Sequence, residues 1–75
     1  MHREPVDSEA LRSVGYDADS RVLEIEFASG AVYRYFDVPQ WIHVDLMTAR
    51  SHGEFFATHI RDAGFDYEQL GPDGG

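Results

Sequence analysis

The sequence predicts an α+β domain, a three-stranded antiparallel meander followed by two short helices packed on one face. Three observations carry this. Residues 22–27 alternate strictly, with Leu23, Ile25 and Phe27 on one side and Val22, Glu24 and Glu26 on the other, the pattern of a half-buried strand. Beyond Pro39 the apolar spacing becomes helical, with Ile42, Leu46 and Ala49 joined by Trp41 and Val44. A chain of 75 residues has room for one domain. At that size only about 60% of the unfolded surface is buried, so a thin core must come from packed aliphatic and aromatic side chains.

Residues 1–9 contain Pro5 and three acids and show no sustained period, so they read as a lead-in. The domain is expected over residues 6–70, with flexible termini at 1–5 and 71–75. Leu11, Val14 and Tyr16 mark the first strand, in which Gly15 signals a bulge or a close approach of another backbone. Asp17–Ser20 is a turn, the second strand follows, and Gly30 supplies the positive φ of a tight hairpin into Ala31–Phe36. The register of that hairpin decides which face carries Tyr33 and Tyr35. An odd loop of Ser29, Gly30 and Ala31 is favoured. It sets Phe27 opposite Tyr33, Ile25 opposite Tyr35 and Glu26 opposite Arg34, and keeps an unpaired guanidinium out of the apolar side.

Asp37 and Gln40 fit a capping pattern for the first helix, with Pro39 where the first turn tolerates a missing N–H. Ser51 and Glu54 form a second capping box, opening a helix with Phe55, Phe56, His59 and Ile60 at helical spacing; Gly64 ends it. Phe65, Tyr67 and Leu70 form a short apolar tail expected to tuck onto the core.

Fourteen acids stand against six bases, all arginine, for a formal net charge of −8. Free nucleic acid is repelled overall, since phosphate affinity comes from Lys and Arg clusters that this chain lacks. With no cysteine and no apolar run long enough to span a membrane, a cytoplasmic protein is expected, without membrane attachment. The four histidines lack paired metal-ligand spacing, no phosphate-cradling loop or nucleophile elbow occurs, and neither metal nor cofactor is expected. Glu24 and Glu26 read as a solvated strand face rather than a catalytic pair, and His59 as a half-buried packing residue beside Phe55 and Phe56. The domain is therefore expected not to be an enzyme.

One arrangement stands apart: Tyr33, Arg34 and Tyr35, with Phe36 next. On an open strand it would stack bases; buried, the rings are core. The favoured register makes the tyrosines core and leaves Arg34 among Val22, Val32 and Phe36 on the less covered face, a surface suited to a protein partner. Tyr33, Tyr35, Arg34 and Arg61 would serve the alternative, RNA.

VDSEALRSVGYD, LEIEFASGAVYRYFDVP, ARSHGEFF, HIR and DYEQL together resemble the KTSC domain, named for the C-terminus of some lysyl-tRNA synthetases. The resemblance runs from about Val6 to Leu70 and rests on Gly15-Tyr16-Asp17, Tyr33 and Tyr35, Val38-Pro39, Ser51 with Gly53, and Phe55-Phe56. Ala57 departs from it, standing where relatives often have Asn. The resemblance implies a small stand-alone bacterial or phage protein of a family without an established activity, for which an RNA-binding role has been suggested. The two readings carried forward are a protein-interaction or accessory module with an unidentified protein partner and, as the alternative, an RNA-binding module.

Overall fold

The computed structural model describes residues 1–71. Its elements in chain order are β1 (Glu4–Pro5), β2 (Leu11–Asp17), β3 (Val22–Phe27), β4 (Val32–Tyr35), α1 (Gln40–Thr48), α2 (His52–His59) and β5 (Tyr67–Gly71), with a short 3-10 turn at Arg61–Ala63. The strands form one antiparallel sheet in the order β1-β2-β3-β4-β5. Both helices cover one face of it. Leu11, Val14, Leu23, Ile25 and Tyr35 from the sheet meet Val38, Ile42, Leu46, Phe56 and Ile60 in a single buried cluster.

The sheet has five strands where three were expected. The apolar tail does not merely tuck in: Tyr67–Gly71 pairs with β4 as an edge strand, Tyr67 opposite Tyr35 and Gln69 opposite Tyr33. At the other edge the lead-in supplies β1, Glu4 opposite Val14 and Pro5 opposite Ser13, so the sheet begins before residue 6. Gly71 belongs to β5; the remainder of the expected flexible C-terminus, 72–75, lies outside the described residues.

Gly15 explains how the N-terminal segment lies down. A Cβ on this residue would stand 2.5 Å from the carbonyl oxygen of His2, so only glycine lets the two backbones approach this closely. Arg3 crosses at the same place and reaches Glu24 on β3.

The β3–β4 hairpin has an odd loop, but one residue earlier than expected. Phe27 N–H donates to Ala31 at 2.8 Å and Gly30 N–H to Phe27 at 2.9 Å, which leaves Ala28, Ser29 and Gly30 as the loop. Gly30 takes φ 95°, the left-handed position that closes a three-residue hairpin loop. Ile25 therefore faces Tyr33, Leu23 faces Tyr35 and Glu24, not Glu26, faces Arg34. The shift is by two in register, so every side chain keeps its expected face.

Helix α2 starts at the expected N-cap, Ser51 Oγ accepting from the Glu54 N–H at 3.2 Å. Helix α1 does not: its N-cap is Pro39, with no side-chain cap, while Asp37 sits at φ 58° in the turn leaving β4. That turn is held instead by the Val38 N–H donating to Arg21 at 2.9 Å.

Candidate functional site

Strand β4 divides its side chains between two very different faces. Tyr33 and Tyr35 point to the helix side, where Tyr35 is 6% exposed and Tyr33 half-buried. Phe56 of α2 packs edge-on to both Tyr35 (5.7 Å between ring centres) and Phe27 (5.1 Å). The helical layer ends there, and β5 brings Tyr67 alongside Tyr33 and Tyr35 at 5.8 and 5.9 Å. The result is an open cleft of about 380 Å³ lined by Phe27, Tyr33, Tyr35, Phe56, Phe65 and Tyr67, with Arg61 as the one cation among the described residues lining it. A volume of that order matches ligand sites, which are mostly apolar with a few placed polar groups.

Burial, with Tyr33 and Tyr67 close by, pushes the Tyr35 phenol up to about 12. It is neutral at any ordinary pH, and so is the cleft floor. Tyr33 Oη donates to Gln69 Oε1 at 3.3 Å, tying β4 to β5 beneath the rings. Arg61 opens the 3-10 turn that follows α2, its Nε 3.2 Å from Asp62 and its side chain 64% exposed.

The opposite face is closed by its own charges. Glu24, 5% exposed, accepts from Arg3 (2.9 Å) on one oxygen and from Arg34 Nε (2.8 Å) on the other. Glu26 accepts from Ser13 Oγ at 2.9 Å and lies 3.6 Å from Arg12. Glu24 is thus a buried ion-pair centre, not a solvated carboxylate, and Arg34 has its partner in the strand beside it. Val32 is fully buried and Val22 and Phe36 are half-buried, so Arg34 does not stand in an apolar patch of the expected kind.

A second hollow, about 590 Å³, lies between the N-terminal segment and Gly15, Tyr16 and His43. Its rings serve the fold: Tyr16 stacks on His43 at 4.9 Å and donates to the Val38 carbonyl at 2.6 Å, fixing the start of α1 to β2. Burial pulls the His43 imidazole below its ordinary range. His59 is exposed rather than half-buried, stacked on Phe55 at 4.2 Å. Among the described residues, no group of three or more His, Cys, Asp or Glu side chains is placed to hold a metal ion.

The family model of the KTSC domain matches residues 7–65. The chain belongs to the KTSC domain family. A crystal structure of a KTSC domain protein from Yersinia pestis superposes with a TM-score of 0.88 at 40% identity, covering 93% of this chain and 97% of that one. An uncharacterized protein of Stutzerimonas stutzeri is 46% identical over 70 residues, 93% of this chain and 99% of that protein. A lysine–tRNA ligase of Nostoc punctiforme is 38% identical over 64 residues, 85% of this chain but 11% of the ligase.

Several residues that carry the family resemblance hold up this KTSC domain without facing the cleft. Gly15 admits the N-terminal segment, Tyr16 anchors Val38, Ser51 caps α2, and Gly53 lies against Ala10, whose Cβ would be 3.0 Å from a Cβ at 53. Tyr33 and Tyr35 do face it. Of the six residues singled out from sequence, the cleft gathers Tyr33, Tyr35 and Arg61, while Val22, Arg34 and Phe36 belong elsewhere. Phe27, Phe56, Phe65 and Tyr67 complete the cleft and were missed as a group, since Phe65 and Tyr67 reach it only through the pairing of β5 with β4. The one hint in the sequence is the brief alternation of Phe65, Asp66, Tyr67 and Glu68.

Proposed function

We propose that this KTSC domain is a non-enzymatic protein-interaction module of the cytoplasm, and that its partner binds in the cleft between β5 and the end of α2. The observation that carries this reading is the gathering of six aromatic rings around an opening of about 380 Å³. Large rings supply contact area at little cost in side-chain entropy, which is why they dominate binding surfaces. The charged face, expected from sequence to be the docking surface, is the weaker candidate because Arg34 is already paired with Glu24.

The reading is tested by selecting random displayed peptides on the immobilised domain, with Tyr67→Ala as control. Peptides should enrich on the parent and not on the variant. Equal enrichment on both, or none on either, contradicts the proposal.

RNA is the alternative because the cleft gathers Tyr33, Tyr35 and Arg61, and because a segment of lysine–tRNA ligases is similar to this chain. Bases can stack on such rings. Against it stands the net charge of −8. Four of the six arginines, Arg3, Arg12, Arg34 and Arg61, also already face carboxylates. Binding of a uridine oligonucleotide that weakens steeply with salt would favour this alternative.

A further inference from the structure

We infer that the cleft receives the carboxyl-terminal residue of a partner chain, Arg61 holding its carboxylate while the partner's backbone runs along the free edge of β5. This rests on the protein-interaction reading and names the part of the partner that is recognised.

Three features meet at one place. The first is Arg61, the only charged residue among the described residues that line the cleft. Its pair with Asp62 is exposed on both sides, 64% and 62%. Such exposed pairs contribute little, so the guanidinium can exchange Asp62 for an incoming carboxylate at small loss. A guanidinium offers a carboxylate two parallel donors, a match that an amide cannot reproduce. The second is the apolar floor, where Phe27, Phe56 and Tyr35 leave no charge to oppose a large apolar side chain.

The third is the strand edge. β5 ends the sheet, with β4 on one side and no strand on the other among the described residues. An extended segment can add there by main-chain hydrogen bonds, and Tyr67, at the start of β5 and 64% exposed, belongs to both the edge and the cleft.

Charge selects the same occupant. A nucleic acid strand brings a phosphate at every step to a domain of net charge −8, whereas a chain terminus brings one carboxylate to one arginine. Asp66 and Glu68, exposed on either side of Tyr67, favour basic residues upstream of that terminus.

The probe is the peptide Lys-Val-Lys-Val-Phe, as free acid and as carboxamide, titrated into the isotope-labelled full chain and followed by amide and ring chemical shifts. Shifts are expected in β5 and at Tyr33 and Tyr67, with the free acid binding about tenfold tighter, as one charge-assisted hydrogen bond predicts. Arg61→Gln should bring the two forms to parity, and Tyr67→Ala should weaken both alike. Equal affinity of acid and amide for the unmodified cleft overturns the inference and leaves the interaction reading standing. Cleft shifts caused by a uridine oligonucleotide and by neither peptide overturn both.

Discussion

The two faces of strand β4 are built from the same run of residues and end in opposite conditions. Arg34 turns to a face where Arg3, Glu24, Arg34, Ser13, Glu26 and Arg12 satisfy one another. Tyr33 and Tyr35 turn to a face where the helical layer stops short of β5 and leaves their rings in an open cleft with Tyr67. One face spends its chemistry on itself; the other presents it. A charged strand in an acidic domain is therefore not by itself a docking surface, because a buried carboxylate between two arginines already fills the role a partner would play.

The largest effect that separates the faces is expected from Glu24→Ala. It strands Arg3 and Arg34 together and should cost about 2–3 kcal/mol in denaturant unfolding, below the full penalty of a buried pair because both arginines can reach water. Peptide binding at the cleft by the folded fraction should be unchanged. A loss under about 0.5 kcal/mol, the range of ordinary surface substitutions, would mean that the charged face is not structural.

Next is Gly15→Ala, which drives a methyl group into the His2 carbonyl and should cost about 1–3 kcal/mol, as overpacking does. In a chain lacking residues 1–3 the same substitution should cost little. Equal losses in both would show that the N-terminal segment does not lie where Gly15 admits it.

Tyr67→Ala should change stability by less than about 1 kcal/mol, since the ring is 64% exposed, yet weaken cleft binding markedly. The reverse outcome, a large loss of stability with binding intact, would exchange the roles of the two faces.

The smallest effects are in pH. The Tyr35 phenol is raised in the folded state from 10.0 to about 12, so it holds its proton where the unfolded chain has lost its own. Its contribution is intact below pH 10 and stability falls from there through about 12; phenolate absorbance should show a tyrosine titrating well above the ordinary range, and Tyr35→Phe should remove it. His43 acts on the acid side. Its pKa is lowered by burial from 6.5, so stability should be full above that value and decline as the pH falls below it. Ring signals of His43 should titrate below those of a free histidine.

What sequence could tell followed from periodicity. The strict alternation of Leu23, Ile25 and Phe27 fixed the central strand, and parity alone put Tyr33 and Tyr35 with them even though the hairpin loop lies one residue earlier than expected. The Ser51–Glu54 box marked α2 because capping is local. Edge strands escaped for a physical reason: an edge paired on one side and half exposed needs no apolar alternation, so Glu4–Pro5 and Tyr67–Gly71 resemble loops. Gly15 did point to a close approach, but not to which segment makes it. The cleft was legible only in its β4 half, because its other wall arrives from beyond both helices.

The account turns on which face meets a partner, and the chemical-shift map of the free-acid peptide tests that most directly. It predicts shifts clustered at Phe27, Tyr33, Phe65 and Tyr67 and along β5, with Arg3, Glu24 and Arg34 unmoved. Shifts centred instead on Val22, Arg34 and Phe36 would contradict it.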